Sequence, residues 1–396
     1  MEFRFETKED SLQRTATMIN SMGGGAVHWS SMVLFAPSEP EPTPEYDLVS
    51  AMLEADKRGV DTHLYVDLDY HNRQRIVGKR HVPRWYPFLT SEERTQRQES
   101  TLIQSSNLEE FESIIEPTPS LFYVDTDANW MRRLASEHAI QRIWPNFHAK
   151  LGVVQDGEQN LVTVGTGNLD SSDMLDFALT IDNSAAATTA INLLTGKVGS
   201  GGFMETKLDD NIWLVCDYSN YGEPGRLPKL HDIAHGFINP NYVTRTADGK
   251  LPDRKPAEII FMSQYLPDGQ LANALTRAQQ SGSRVIVPLQ PPHDHRRRAL
   301  GYRAWANLHQ RKLETAGVSL PERNISSHNK CLIVYYDDGT AAAIFGSENL
   351  MTTMEKGVRN PEASIVIYPV KEGEPGRDII DAMHAKFIET GELPEC

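Results

Sequence analysis

Hydrophobic residues along the chain occur at helical spacing in some stretches and in short continuous runs in others, and the same succession of stretches occurs twice. In the stretches that begin at Asp47 and Gly269, apolar residues recur every three or four positions and then give way to a short apolar run. The first spacing predicts an amphipathic helix, and the second predicts a buried strand. Gly59 and Gly282 stand where each helix should end, because glycine readily adopts the left-handed conformation past a last helical turn.

The flanking segments extend this repeat in both directions. An apolar strand precedes each predicted helix, "AVHWSSMVLF" from Ala26 and "EIIFMSQYL" from Glu258. Further on, each copy has another helix-like stretch and two apolar runs joined by a turn at Gly157 or Gly339, which predicts a hairpin. Strand, helix, strand, helix and hairpin, twice over, predict an α/β protein of two similar α-β-α halves related by an approximate twofold axis.

The two copies differ in length at one place. From Gly59 to His148 is 148 − 59 = 89 positions, whereas from Gly282 to His328 is 328 − 282 = 46. We therefore predict a first half at residues 1–200 with an insertion at about 71–130, and a second half at 256–396. Residues 201–255, rich in glycine, proline and asparagine, are interpreted as an irregular bridge.

Composition limits the classes of partner and the compartment. The 396 residues include 39 Lys and Arg against 54 Asp and Glu, which gives a formal charge of −15 and disfavours adsorption to anionic polymers or bilayers. Three cysteines are too few for a disulfide framework and favour a reducing compartment. The N-terminal stretch "MEFRFETKED" lacks a secretory pattern, and no apolar run suits a transmembrane segment. We expect a cytoplasmic protein, with peripheral contact to a membrane left open.

A short polar motif follows the second predicted helix of each copy. His148 and Lys150 stand two positions apart, as do His328 and Lys330, so each pair should project to the same side of an extended segment. A glycine-flanked turn that ends in asparagine comes next, at 165–168 and 346–349. Cations and amide groups around one small volume suit a phosphoryl group. Two histidines could divide the attack on phosphorus and the protonation of the leaving oxygen.

These paired motifs resemble the phospholipase D superfamily, whose signature is H-x-K, a later Asp and Gly-Ser-x-Asn, present twice in most members. The resemblance implies a phospholipase D-like fold with the active site at the interface of two halves, a phosphohistidine intermediate, and no metal or other cofactor. It implies six catalytic residues: His148, Lys150, Asn168, His328, Lys330 and Asn349. Thr166 and Ser347 are the matching hydroxyl residues of the two turns. Five residues separate Lys150 from Asp156 and six separate Lys330 from Asp337, where the family has four, and both aspartates are interpreted as turn formers.

Three carboxylates are implied as supporting groups. Bacterial cardiolipin synthases of this superfamily continue after the asparagine with Leu-Asp and then Asn-x-Glu. The first copy keeps Asp170 but has Asp176-Phe177-Ala178 at the later position, whereas the second keeps the glutamate as Glu362. A carboxylate beside a histidine favours imidazolium, so Glu362 is predicted to pair with His328. We therefore expect His148 to be the nucleophile and His328 the general acid.

The insertion carries the candidates for substrate contact, Arg84, Trp85 and Tyr86. Three functions stay open at this point. The favoured one is hydrolysis or exchange of a phospholipid head group, the second is an endonuclease on DNA or RNA, and the third is a catalytically silent scaffold of the same fold. Because both motifs lie in one chain, a monomer should suffice for catalysis.

Overall fold

The structure is a computed structural model, and it describes most of the chain outside the predicted insertion. The described residues are 2–31, 43–66, 148–169, 174–198, 202–218, 229–239, 254–264, 266–267, 269–291, 310–348, 350 and 361–393. They form two compact units. Unit 1 comprises Met1–Ser172, Ala178–Val198 and Asn360–Glu362, and unit 2 comprises Asp173–Phe177, Gly199–Arg359 and Ala363–Cys396. Each half of the sequence therefore contributes a segment of at most five residues to the unit built mainly from the other.

Unit 1 is a six-stranded mixed sheet with the strand order β1-β6-β5-β4-β2-β3. Its strands are β1 (Phe3–Thr7), β2 (Ala26–Ser31), β3 (Asp61–Val66), β4 (Leu151–Asp156), β5 (Gln159–Gly165) and β6 (Phe177–Asp182). Its helices are α1 (Lys8–Ser21), α2 (Pro44–Lys57) and α3 (Ser184–Leu194). Strands β2 and β3 pair in parallel, whereas β4 pairs antiparallel with both β2 and β5. The predicted hairpin at Gly157 is therefore present.

The core of unit 1 lies between its first two helices and one face of the sheet. Leu12, Ile19, Met52, Val27 and Leu64 belong to one buried cluster there. Helix α1 follows directly from β1, where the Thr7 hydroxyl accepts a hydrogen bond from the Asp10 amide at 3.3 Å. Gly59 ends α2 with a φ of +90°, as the sequence predicts.

Unit 2 is a seven-stranded sheet with the order β10-β9-β11-β12-β13-β8-β7. Its strands are β7 (Phe203–Asp209), β8 (Ile212–Asp217), β9 (Pro256–Met262), β10 (Arg284–Ile286), β11 (Cys331–Tyr336), β12 (Ala341–Gly346) and β13 (Glu362–Val370). Its helices are α4 (Lys229–Ile238), α5 (Gly269–Gln280) and α6 (Pro375–Glu389). β9 pairs in parallel with β10 and antiparallel with β11, which repeats the arrangement of β2, β3 and β4. The mixed α/β class with two similar sheets is thus confirmed.

The irregular bridge predicted at 201–255 is wrong for its described part. Strands β7 and β8 pair antiparallel there and extend the second sheet beside β13. All ten residues of α4 are buried, and Leu230, Ile233 and Phe237 belong to the core of unit 2. Apolar residues at helical spacing in "KLHDIAHGFI" were outweighed in the sequence by the glycines and prolines around them.

Within the described residues, no helix combines the length and the apolar character needed to cross a membrane.

Candidate active site

The first H-x-K segment lies immediately before β4 and not inside it. His148 and Lys150 are 7% and 3% exposed, and the Lys150 ammonium donates a hydrogen bond to the His148 carbonyl at 2.6 Å. Between them, the Ala149 carbonyl accepts a hydrogen bond from the Ser30 hydroxyl at 3.0 Å. The same hydroxyl accepts a hydrogen bond from the Leu151 amide at 2.9 Å. A serine at the end of β2 therefore fixes the backbone that carries the histidine and the lysine.

The second H-x-K segment repeats this geometry in unit 2. The Lys330 ammonium donates to the His328 carbonyl at 2.6 Å, and Lys330 is 2% exposed. The following turn returns to the lysine in both units, because Gly165 N–H donates to the Lys150 carbonyl at 2.9 Å and Gly346 N–H to the Lys330 carbonyl at 3.3 Å. The sequence repeat is therefore also a repeat of hydrogen bonds.

A backbone hydrogen bond joins each histidine to the segment ahead of a later strand. His148 N–H donates to the Pro361 carbonyl at 3.2 Å, and His328 N–H donates to the Leu175 carbonyl at 3.0 Å. The first of these pairs lies within unit 1 and the second within unit 2. Each histidine is thus placed beside a segment that the sequence supplies from the other copy.

The supporting carboxylates follow these exchanged segments. A Glu362 oxygen lies 2.6 Å from Nδ1 of His148, and both side chains are less than a tenth exposed. The sequence-based prediction paired Glu362 with His328, and it is wrong in its partner. An oxygen of Asp176, which is fully buried, lies 3.7 Å from Nδ1 of His328. Asp176 therefore belongs to the second histidine, although it stands near the first motif in the sequence.

This arrangement defines which ring nitrogen can act in each half-site. A carboxylate that faces Nδ1 holds the proton of a neutral imidazole on that atom and leaves the lone pair on Nε2. His148 has the short contact, whereas the His328 contact is longer than a hydrogen bond and its side chain is 14% exposed. His328 was predicted from the sequence to be the general acid because only that histidine was expected to have a carboxylate beside it. Both histidines have one, so this reason does not hold.

A buried ion pair, which the sequence did not predict, contacts the backbone of the first glycine-flanked turn, residues 165–168. The Lys8 ammonium lies 2.8 Å from a Glu45 oxygen, with both side chains 7% exposed, and it donates to the Asn168 carbonyl at 3.4 Å. Leu169 N–H donates to the Ser31 hydroxyl at 2.7 Å. Asn168 itself is 6% exposed, and its Oδ1 has no hydrogen-bond partner among the described residues. The backbone on both sides of the Asn168 side chain is therefore fixed by hydrogen bonds.

The second turn is anchored to β13 through Ser347. Its hydroxyl accepts a hydrogen bond from the Ala363 amide at 3.0 Å, and Ser347 N–H donates to the Ala363 carbonyl at 2.9 Å. Leu350, the residue after the turn, has a φ of +50°, which is uncommon for a residue with a Cβ. Backbone of this kind persists only where its surroundings enforce it and is frequent at functional sites. Thr166, the counterpart of Ser347, is fully buried.

Five of the predicted site residues lie outside the described residues. They are Asn349, Asp170, Arg84, Trp85 and Tyr86. Of the aspartates interpreted as turn formers, Asp156 ends β4 and Asp337 begins the turn after β11. In that turn Asp338 accepts hydrogen bonds from the amide and hydroxyl of Thr340 at 3.0 and 2.6 Å, which hold its pKa below the usual range.

The described part of the chain contains no cluster of metal-ligating side chains. Groups of three or more His, Cys, Asp or Glu side chains suited to a metal ion do not occur there. Cys331, next to Lys330, is 1% exposed, and burial raises its thiol pKa well above the ordinary value. Cys331 is therefore a neutral side chain of the core.

Comparisons with solved structures identify the fold of this chain. No family model matches the chain, and no curated protein does. Among solved structures, phosphatidylserine synthase from Haemophilus influenzae Rd KW20 matches with a TM-score of 0.54 and 11% identity, over 98% of this chain and 86% of that one. Polyphosphate kinase from Porphyromonas gingivalis matches with a TM-score of 0.51 and 12% identity, over 98% of this chain and 50% of that one. The chain thus spans half the length of the kinase.

These likenesses establish a two-unit α/β architecture. The fold is the phospholipase D-like fold, as the resemblance of the paired motifs implies.

Proposed function

We propose that this protein is a metal-independent phosphodiesterase or phosphatidyltransferase of the phospholipase D type, acting through a phosphohistidine. The observation that carries the proposal is the duplicated half-site: a histidine whose Nδ1 faces a carboxylate, a buried lysine, and a turn tied to that lysine. Two such sets supply a nucleophile, a general acid and cationic groups for the phosphoryl oxygens.

In the proposed reaction, Nε2 of His148 attacks phosphorus and forms a P–N bond while the P–O bond to the leaving alcohol breaks. His328 as imidazolium gives its proton to the leaving oxygen. His328 then takes a proton from water or an acceptor alcohol, whose oxygen attacks phosphorus as the P–N bond breaks. Both histidines end in their starting states, so no external reductant or oxidant is required.

The nucleophile is assigned to His148 on the basis of its Glu362 contact. A Glu362 oxygen 2.6 Å from Nδ1 favours the tautomer with its proton on Nδ1, which presents the Nε2 lone pair. The looser contact of His328 with Asp176 suits a ring that must release its proton during the reaction. Mass spectrometry of the trapped intermediate tests the order, and phosphate found only on His328 would reverse it.

We further propose that the phosphodiester belongs to a phospholipid. The acidic net charge of −15 disfavours a nucleic-acid backbone. The first motif continues as Asn168-Leu169-Asp170, as in cardiolipin synthases, and the fold is similar to that of a phosphatidylserine synthase. A cytoplasmic setting is part of this proposal and is supported by the free, buried Cys216 and Cys331.

A substrate panel tests the proposal. Phosphatidylglycerol, phosphatidylcholine, single-stranded DNA, RNA, inorganic polyphosphate and bis(4-nitrophenyl) phosphate are each offered to wild type and to His148→Ala. We expect turnover of a phospholipid and of the aryl diester that the substitution abolishes. Turnover of DNA or RNA alone would replace the lipid by a nucleic acid. Inactivity on every diester would favour a scaffold that retains the fold without catalysis.

A further inference from the structure

The two H-x-K segments are held in place by different means, although their own geometry is the same. In unit 1 the residue between histidine and lysine is Ala149, and a neutral serine fixes its backbone. In unit 2 the equivalent residue is Asn329, which is fully buried and tied by its side chain. Its amide Nδ2 donates to a Glu392 oxygen at 2.8 Å, and its backbone N–H donates to the Ser327 hydroxyl at 3.0 Å.

Glu392 belongs to a buried charged cluster at the end of the described chain. It follows α6, has no exposed surface, and one of its oxygens lies 3.8 Å from Nη1 of Arg323, which is equally buried. Nη2 of Arg323 donates to the Ser263 carbonyl at 3.2 Å. Within the described residues, neither Nη1 nor Nε of Arg323 has a hydrogen-bond partner, nor does Oε1 of Glu392, the oxygen that faces Arg323.

Stability alone does not account for this cluster. Buried ion pairs usually recover their desolvation cost only with close geometry and full hydrogen bonding, and this pair has neither. The first half achieves the same placement of histidine and lysine with alanine and serine. A carboxylate buried at such a cost against Asn329, the residue after His328, indicates a role in the chemistry of that half-site.

We propose that Glu392 is a positioning residue of the second half-site: it holds the His328–Lys330 segment through Asn329 and supplies a buried negative charge that favours the protonated form of His328. This inference rests on the proposed function in naming His328 the general acid. It gives the two half-sites different surroundings: Glu362 lies close to His148, whereas Asp176 lies near His328 and Glu392 is bound to the next residue, Asn329.

The charged and titratable groups that face Glu392 determine when it carries a negative charge. Burial raises the pKa of Glu392 to about 7, and Asp176 raises it as well, whereas Arg323 and the hydrogen bond from Asn329 lower it. Cys331 also lies within electrostatic reach, but burial keeps its thiol neutral. The Glu392 carboxyl, with a pKa of about 7, therefore carries its negative charge mainly above that pH, and there its charge favours the protonated form of His328.

The direct test follows the titration of the His328 ring by NMR in protein labelled at histidine, with His328→Gln used for assignment. In Glu392→Gln the side chain still accepts the Asn329 hydrogen bond, but the negative charge is lost. We expect the midpoint of the His328 titration to move to lower pH by about one unit. The exposed Glu372→Gln is the matched control and should leave the midpoint unchanged. A Glu392→Gln midpoint equal to that of wild type would overturn the proposal.

A second variant covers the case in which Glu392→Gln does not fold because Arg323 loses its counter-charge. Asn329→Ala gives the second motif the sequence of the first and leaves the Glu392–Arg323 pair intact. With bis(4-nitrophenyl) phosphate, kcat should fall about tenfold while KM stays within about twofold, since the binding groups are kept but the acid is displaced. An unchanged kcat would refute the role of the Asn329–Glu392 hydrogen bond in positioning His328.

The two readouts also separate this inference from the proposed function. Wild-type inactivity on all diesters would contradict the phosphodiesterase, whereas the NMR midpoint is measured without turnover. A shifted midpoint in an inactive protein would retain the role of Glu392 at His328, and an active protein with an unshifted midpoint would remove it.

Discussion

The contact between His148 and Glu362 allows the sharpest quantitative prediction. Glu362→Gln keeps the shape of the side chain and removes the charge that faces Nδ1 at 2.6 Å. Charge-assisted contacts contribute roughly 1.5–3 kcal/mol, and both side chains here are shielded from water. A loss of about 2 kcal/mol of transition-state stabilisation corresponds to a fall of about thirtyfold in kcat.

The assay is release of 4-nitrophenolate from bis(4-nitrophenyl) phosphate under saturating substrate. Asp176→Asn is the informative comparison, because its contact with His328 is 3.7 Å and should cost less than the loss of Glu362. Glu158→Gln, in the exposed turn after β4, is the matched neutral control. A Glu362→Gln variant that keeps kcat within about twofold of wild type, with its melting temperature unchanged, would refute the reasoning.

Three further outcomes concern stability. Burial, reinforced by His63, lowers the pKa of His28 to about 4, so His28 contributes stability above pH 6.5 that is lost as the pH falls towards 4. His28→Gln should therefore reduce the loss of unfolding free energy between pH 7 and 4 by roughly 2–3 kcal/mol, measured by urea unfolding at each pH. Gly346→Ala would place a Cβ against Ala363 and Ser364 at the start of β13 and should lower the free energy of unfolding by about 2 kcal/mol or more. Gly269→Ala, where a Cβ meets open space, is the control and should not lower it. Equal melting temperatures of the two variants would contradict this prediction. Lys8→Met leaves the Glu45 charge buried and should cost about 3 kcal/mol or more in thermal unfolding, and adding Glu45→Leu should restore most of it.

The repeat could be predicted from the sequence because it consists of local patterns, namely the spacing of apolar residues and the short H-x-K motifs. The apolar spacing up to Gly59 and Gly282 predicted helices that the structure confirms, and both glycines have the expected positive φ. The paired H-x-K motifs and their turns likewise correspond to matching hydrogen bonds, since short spacings determine which side chains share a face.

The supporting groups could not be predicted in the same way. Glu362 was matched to the histidine of its own copy, although its partner His148 lies more than 200 positions away in the sequence. Lys8, Glu45 and Glu392 are single ionisable residues without a local pattern, and only tertiary contacts show that they are buried beside the motifs. Helix α4 was missed because the turn-forming residues around it dominated the local composition.

The exchange of short segments between the units has a consequence for how such a chain can evolve. A polypeptide that ended at residue 172 would hold His148 but lack Glu362, and one that began at residue 199 would hold His328 but lack Asp176. Neither copy alone contains both a histidine and the carboxylate that faces it. A protein with a single copy would therefore need a second molecule to form the histidine–carboxylate pair. A substitution at either carboxylate therefore acts on the histidine of the other copy.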